Sequence, residues 1–307
     1  MNESKSKIVV VCGPTGSGKT GIAIELSRMF TGEIIGADSM QIYRYMDIGT
    51  AKPTRAEQAQ VRHHMIDIVD PDENFSAARF AKMAAEKIDA LVAWSKAPFV
   101  VGGTGLYLKA LVHGLFSEAP TMPELRSRLR RQLDENGAEV LYEKLKQCDP
   151  AATEKIHPHD TFRIIRALEV YELTGKPISA HHREHGFMDE PFRVLKIGLD
   201  IQREKLYERI DRRVDRMVAD GLVKEVESLL DRGYAPTLNS MQSIGYLHVV
   251  GFLAGRMTWQ ETLRTLKRDT RRYAKRQMTW FRRDADIHWF KPKQTKDMSA
   301  LVAGFLA

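Results

Sequence analysis

A chain of 307 residues that is 43% apolar and 28% charged can bury a sizeable core, and length alone allows one or two domains. No apolar run approaches the roughly 18–20 residues that span a bilayer, and MNESKSK passes straight into a strand-like run without a signal-peptide core, so a soluble, cytoplasmic protein without a membrane partner is expected. Cys12 and Cys148 show neither CxxC nor Cys/His spacing, which argues against a zinc site or a disulfide framework; the net charge of +7 permits a polyanionic partner without requiring one.

Residues 7–12 (KIVVVC) form an apolar run that stops at glycine and read as a buried strand. Gly13–Thr20 is a glycine-rich turn, and 19–30 reads as a helix with Ile22, Leu26 and Met29 on one face. Glu33–Ala37 reads as a second strand ending at Asp38. A helix follows over 75–95, with Phe75, Phe80, Met83, Ile88, Leu91 and Trp94 at near-helical spacing. Pro98–Val101 is another buried strand, stopped by Gly102-Gly103. Strands alternating with helices imply an α/β fold: a P-loop-type parallel sheet covered on both faces.

From about 115 to 190 no strand is evident. Residues 123–147 and 160–174 read as charged amphipathic helices, and His157-Pro158, Gly175-Lys176-Pro177 and 181–186 (HHREHG) as turns or loops. Arg193–Asp200 returns to strand, helices follow to about 283, and the residues from about Lys291 read as a weakly specified tail. The expected organisation is an α/β core, 1–115 with 190–307, carrying a helical insertion domain at 116–189.

Gly13-Pro14-Thr15-Gly16-Ser17-Gly18-Lys19-Thr20 matches G-x-x-x-x-G-K-[ST] between a buried strand and an amphipathic helix. Glycines let such a loop curl with its N–H groups inward. Lys19 adds charge for phosphate oxygens, and the Thr20 hydroxyl can serve a magnesium ion. The motif says that phosphate binds, not which phosphate. A hydrolysing P-loop ATPase has a later strand ending in an acid, whereas here PFVV runs into Gly-Gly-Thr-Gly. The strand that does end in an acid places Asp38 where ligands of open α/β sheets bind.

Further motifs follow in order: Asp38-Ser39-Met40-Gln41-Ile42-Tyr43-Arg44, Gly49-Thr50-Ala51-Lys52-Pro53, His63-His64-Met65-Ile66-Asp67, Gly102-Gly103-Thr104-Gly105-Leu106-Tyr107, Arg163–Val170, Gln242–Tyr246 and Arg272–Gln277. Together they resemble the tRNA dimethylallyltransferases, over nearly the whole chain. No zinc-finger pattern follows, so the resemblance is to the bacterial type. It implies transfer of dimethylallyl from its diphosphate to the exocyclic amine of adenosine 37, in the anticodon loop of tRNAs reading codons that begin with U. It implies that the P-loop, Gly13 to Thr20, holds the diphosphate with Mg2+. A monomer is expected.

By that resemblance Asp38 is the general base, with a helix cap or an outer magnesium contact as the plainer alternative. Asp38, Ser39, Met40 and Gln41 grip the extruded adenine. Tyr43 reads equally as a stacking wall or as a half-buried loop aromatic. Thr104 contacts the diphosphate, or is a turn threonine. Arg213 is the diphosphate arginine of a crowded helix, with Arg209 and Arg216 as alternatives. Arg126, Arg163 and Arg166 match a segment that touches tRNA. Residues 264–283 hold nine Lys/Arg and one acid. Leu263, Leu266, Tyr273 and Phe281 suggest an apolar seam, leaving Arg268, Arg271, Arg272, Lys275 and Arg276 for the phosphate backbone or for solvent. Leu247-His248 stands where many relatives have Lys-Glu.

Overall fold

The computed structural model describes residues 5–114, 122–185 and 190–307. Residues up to Val112 together with Glu190–Ala307 form one compact unit, and His113–Asp189 a second. The expected insertion borders at 116 and 189 lie outside the described residues. The strands are β1 (Lys7–Cys12), β2 (Gly32–Gly36), β3 (His63–His64), β4 (Ala97–Gly102), β5 (Arg193–Leu199) and β6 (Ile287–Phe290). The helices are α1 (Lys19–Met29), α2 (Arg55–Gln60), α3 (Ala77–Ala93), α4 (Gly105–His113), α5 (Pro123–Cys148), α6 (Pro150–Thr153), α7 (Thr161–Thr174) and α8 (Ile178–His185). They continue with α9 (Arg203–Ala219), α10 (Leu222–Asp231), α11 (Tyr246–Leu253), α12 (Trp259–Phe281) and α13 (Thr295–Leu306).

The first unit is built on a six-stranded sheet in the order β3-β2-β4-β1-β5-β6, every pair parallel. β1 explains why its sequence is an unbroken apolar run. Ile8, Val10 and Cys12 pack on α3 and α4, while Val9 and Val11 pack on α1 and α13. After β1 the chain passes β4 to reach β2; after β4 its next strand, β5, lies on the far side of β1. The connections diverge between β1 and β4, and ligands of such sheets bind outside the strand ends at that point. A third core joins α9–α12 to the Ile42–Met46 turn through Val214, Leu222, Val226, Tyr246 and Leu266.

Several expectations are corrected. Met29 and Trp94 are exposed rather than on buried seams; Trp94 is the C-cap of α3. The C-terminal tail contains α13, whose Met298 and Val302 are fully buried against the sheet. β6 carries no local signal in the sequence. Its docking follows from Lys196, nearly buried in mid-β5, whose Nζ donates to Asp284 (2.8 Å) and Asp286 (3.5 Å) at the start of the incoming segment. Gly198 allows the close approach, since a Cβ there would sit 2.5 Å from Ile287.

In the second unit Leu129, Leu141 and Leu145 of α5 pack on Ile164 and Leu168 of α7. α5 breaks at Gly137, which has φ 80°. HHREH is helical, as part of α8, and not a loop. It has no apolar period to betray it and is held from outside: Asp149 Oδ1 accepts from Ala152 N and Oδ2 from Ser179 N (2.9 Å), while Lys176 pairs with Glu184.

Because α13 covers the sheet, Met298→Ala should cost about 2–5 kcal/mol, read from urea unfolding. A cost near zero would make the helix a loose appendage.

Candidate active site

β1, β2 and β4 end side by side, so the loops after them share one sheet edge. After β1 the chain turns through Gly13, Gly16 and Gly18 at φ 146°, 80° and 94°, and Gly18 is the N-cap of α1. These values suit glycine, and they aim loop N–H groups and the helix N-terminus at one spot. Lys19 Nζ, able to give three hydrogen bonds, makes one to Pro14 O (2.9 Å), and the buried Ser17 Oγ has no partner among the described residues. Both leave capacity for an anion.

The loop after β2 carries Asp38, whose Oδ1 accepts from Met40 N (2.9 Å). The loop after β4 carries Thr104. Its Oγ1 accepts from Ser39 N (3.0 Å), and its own N–H donates to Ala37 O (3.2 Å). Gly102 lies so close that a Cβ would be 1.9 Å from Ala37 O, which is why a glycine ends this strand.

One residue that closes the Arg272–Gln277 motif, but to which the sequence assigned no role, links these loops. Gln277, buried on α12, accepts from Thr15 N (2.8 Å) and donates through Nε2 to Gly103 O (2.8 Å). Tyr273 lies one turn earlier; burial and then Asp38 push its hydroxyl's pKa up, and Thr104 and Gln277 oppose the rise. The available signal was a glutamine on the inward stripe of an amphipathic helix, where an apolar residue is ordinary and a polar one needs partners.

A cavity of about 60 Å³ lies at this edge, lined by Lys19, Thr20, Asp38, Gln41, Arg213 and Gln277 among others. Burial pushes the Lys19 ammonium down to about 8, with Asp38 pulling it back up and Arg213 adding to the fall. Burial also lowers Arg213, opposed by Asp38. Two cations and one carboxylate thus share a water-poor space, and an added anion would relieve the repulsion between the cations. Of the α9 arginines, Arg213 reaches this cavity. Arg209 and Arg216 are exposed on a neighbouring groove of about 850 Å³ that Arg213 also borders. Among the described residues no cluster of His, Cys, Asp and Glu could hold a metal by itself. The polar set at the edge suits a hard cation carried by phosphate oxygens and one hydroxyl, that of Thr20.

The IPP transferase family model matches residues 41–284. The tRNA dimethylallyltransferase of Desulfosudis oleivorans is 54% identical over 99% of this chain and 97% of its own. Among solved structures, the tRNA isopentenylpyrophosphate transferase of Bacillus halodurans is 41% identical with TM-score 0.74, covering 98% and 97% of the two chains. A eukaryotic dimethylallyltransferase solved acting on tRNA is 29% identical with TM-score 0.81, covering 97% of this chain and 77% of that one. The chain belongs to the tRNA dimethylallyltransferase (IPP transferase) family.

Other sequence-derived residues are placed as follows in this family member. Gln41 donates its amide to Thr50 O (3.2 Å) and Ala51 O (3.1 Å), so those donors are engaged within the chain. Tyr43 is a buried core residue rather than a wall. The turn beyond it is fixed by Glu225, which accepts from the N–H groups of Asp47, Ile48 and Gly49 and from Tyr246 Oη. His248 is buried, with Nε2 against Asp269 (3.2 Å), and serves packing. On α12, Arg272, Lys275 and Arg276 are exposed, but Arg271 is paired with Asp211 (2.7 Å) on α9 and is not available to a phosphate. In the second unit Arg126 and Arg166 both bind the buried Glu169, at 2.8 and 2.9 Å, and Arg163 pairs with Asp160 at 3.3 Å.

Two measurements probe this geometry. Lys19 binds an anion best when protonated. Corrected for the ionisation of pyrophosphate itself, affinity should therefore be level below about pH 8 and fall above it, by up to about tenfold per pH unit; calorimetry giving a flat corrected profile to pH 9.5 would remove Lys19 from the site. Gln277→Leu strips partners from Thr15 N and Gly103 O and should weaken pyrophosphate roughly tenfold. Unchanged binding would show that the loop keeps its shape unaided.

Proposed function

We propose that the chain transfers a dimethylallyl group from dimethylallyl diphosphate to the N6 amine of adenosine 37 in tRNAs reading codons that start with U. The observation carrying this reading is the convergence of Lys19, Thr20, Asp38 and Arg213 on one cavity at the sheet edge. That set suits a phosphate leaving group beside a proton acceptor, and family membership supplies the substrates.

In the reaction the N6 nitrogen attacks the C1 carbon of the prenyl donor, a C–N bond forms and the C1–O bond breaks. The N6 proton passes to Asp38, whose carboxylate is held by Met40 N–H. Diphosphate departs into the loop N–H groups, Lys19 and Arg213, with Thr104 at its side. Fixed donors of this kind need no reorganisation as charge develops, and losing one typically costs about 10²–10³ in rate. Thr20 would hold magnesium, which when bound supplies further positive charge to the diphosphate.

The RNA face in this reading comprises the Asp38–Gln41 segment, Thr104, Arg126, Arg163, Arg166, Arg272 and Arg276. Supporting it, Arg272 and Arg276 are exposed on the helix that carries Tyr273 and Gln277, and the Arg276 guanidinium lies over the Tyr273 ring, 5.7 Å from its centroid. The chain is proposed to work as a monomer.

The test is incubation of the protein with labelled dimethylallyl diphosphate, Mg2+ and unmodified tRNA. Label should appear on the RNA. Asp38→Asn, which keeps an acceptor for Met40 N–H, should lower turnover roughly 100-fold or more and leave tRNA affinity within about threefold. Turnover near wild type would take the base role from Asp38, and absence of label with wild type would overturn the activity.

A further inference from the structure

β3 places two histidines in succession, and successive side chains of a strand go to opposite faces of the sheet. His64 is in register with Ile35, which packs on the α3 face, and its Nε2 lies 2.7 Å from Glu33 Oε2. That ring has its partner and needs no further account. His63 is in register with Ile34 and so stands on the α1 face, where the helix begins with Lys19 and Thr20. Its ring lines the cavity of about 60 Å³ together with Thr20, Asp38 and Arg213.

Nδ1 of His63 is 2.8 Å from Val61 O. A carbonyl only accepts, so Nδ1 carries the proton and Nε2 presents a lone pair. That Nε2 is buried and has no hydrogen-bond partner among the described residues. Burial lowers the ring's pKa, with the Val61 carbonyl opposing, which keeps the imidazole neutral at neutral pH. Lys19 and Arg213 line the same cavity, yet neither donates to it. A buried acceptor in this condition calls for a donor from outside the chain.

The chemistry of that donor follows by elimination. Diphosphate oxygens are themselves acceptors, and the lone pair would repel them. A hard cation brings what the site lacks: Mg2+ dehydrates reluctantly and keeps several waters, which its charge makes strong donors. P-loop enzymes commonly meet such a metal with an acid at the end of a later strand. Here β4 ends in Gly102, and Asp38 is the base in the reading above. We propose that His63 is a positioning residue for the metal, its Nε2 accepting from a water on the Mg2+ that Thr20 and the diphosphate hold. A neutral ring orients that water without adding negative charge, so the cavity keeps its positive balance for the departing diphosphate. The inference rests on the reading that diphosphate binds here with magnesium.

The test is calorimetry of pyrophosphate binding to the full chain, in Mg2+ and in EDTA. His63→Leu removes the acceptor and keeps an apolar filling. It should weaken binding in Mg2+ roughly tenfold, the lower end of the about 10–100-fold typical for a lost outer partner of a metal site, and match wild type in EDTA. The Mg2+ concentration giving half of the full effect should rise by about the same factor. His63→Gln, whose side-chain oxygen reaches toward the Nε2 position, should recover most of the loss. Should the leucine variant unfold, His63→Asn, too short to reach, takes its place with the same expectation. Equal binding of His63→Leu and wild type in Mg2+, an equal loss in EDTA, or a glutamine variant as weak as the leucine one would overturn the role of His63. If wild type itself binds pyrophosphate no better in Mg2+ than in EDTA, the magnesium reading falls and this inference with it.

Discussion

Gln277 ties together the loops after β1 and β4 beyond the last paired residues of those strands, Cys12 and Gly102. Its side-chain oxygen takes the Thr15 N–H and its nitrogen gives to Gly103 O, both at 2.8 Å. A phosphate loop works by the directions of its N–H groups, yet the glycines that permit those directions also leave the loop soft. Stiffness has to come from outside. The next contacts extend the brace: Thr104 to Ser39 and to Ala37, and the backbone of Gly102 against Ala37. The phosphate cradle, the Asp38 carboxylate and the Thr104 hydroxyl thus share one frame. Bimolecular transfer gains most from a frame of this kind, because holding reacting groups in place removes part of the entropic barrier.

α12 supplies the brace and faces outward as well. Leu266, Ala274, Gln277 and Phe281 are buried, while Arg272, Lys275 and Arg276 are exposed. An RNA held on the outer side would bear on the same rigid rod whose inner side sets the cradle. The rod is anchored at its start by the reciprocal Thr258–Glu261 cap and along its length by Arg271–Asp211 and Lys267–Asp215 across to α9. α9 also carries Arg213, so the two helices that frame the cavity are tied together by charge.

The parts legible in the sequence were those with local signals. β1, β2, β4 and β5 announce themselves as apolar runs, and the loop Gly13–Thr20 by its glycines and its place between strand and helix. β6 and α13 were not legible because their order comes from distant partners. Lys196 draws in Asp284 and Asp286 across 88 and 90 residues, and Met298 is a core residue only once the sheet exists. α8 is similar: its HHREH stretch has no apolar period, and its first turn is held by Asp149, 30 residues upstream of Ser179. Within the site, Asp38 and Lys19 carry charge and sit in motifs, and Arg213 carries charge in a helix crowded with arginine. Gln277 carries none, and its importance lies in two backbone groups that only the fold brings to it.

The same distinction limits what a run of charge can say about RNA. Residues 264–283 hold nine Lys/Arg against one acid, which in isolation suggests a broad phosphate-binding face. In the fold Lys267 meets Asp215, Arg268 meets Asp269 and Arg271 meets Asp211. Two of these three acids lie on α9, outside any local window. Exposed ion pairs of this sort add little stability, about 0–1 kcal/mol each, but they decide which cations remain to release counterions from RNA. Arg272 also reaches Asp269, at 3.5 Å, so among the described residues the strip left without an ion pair on the middle of the helix narrows to Lys275 and Arg276. Arg276 lies over the Tyr273 ring, 5.7 Å from its centroid, which makes the strip informative in a way that the count was not. A cation that is merely solvated can stand anywhere on a helix, whereas Arg276 packs on a side chain one turn before Gln277, the residue that reaches into the loops.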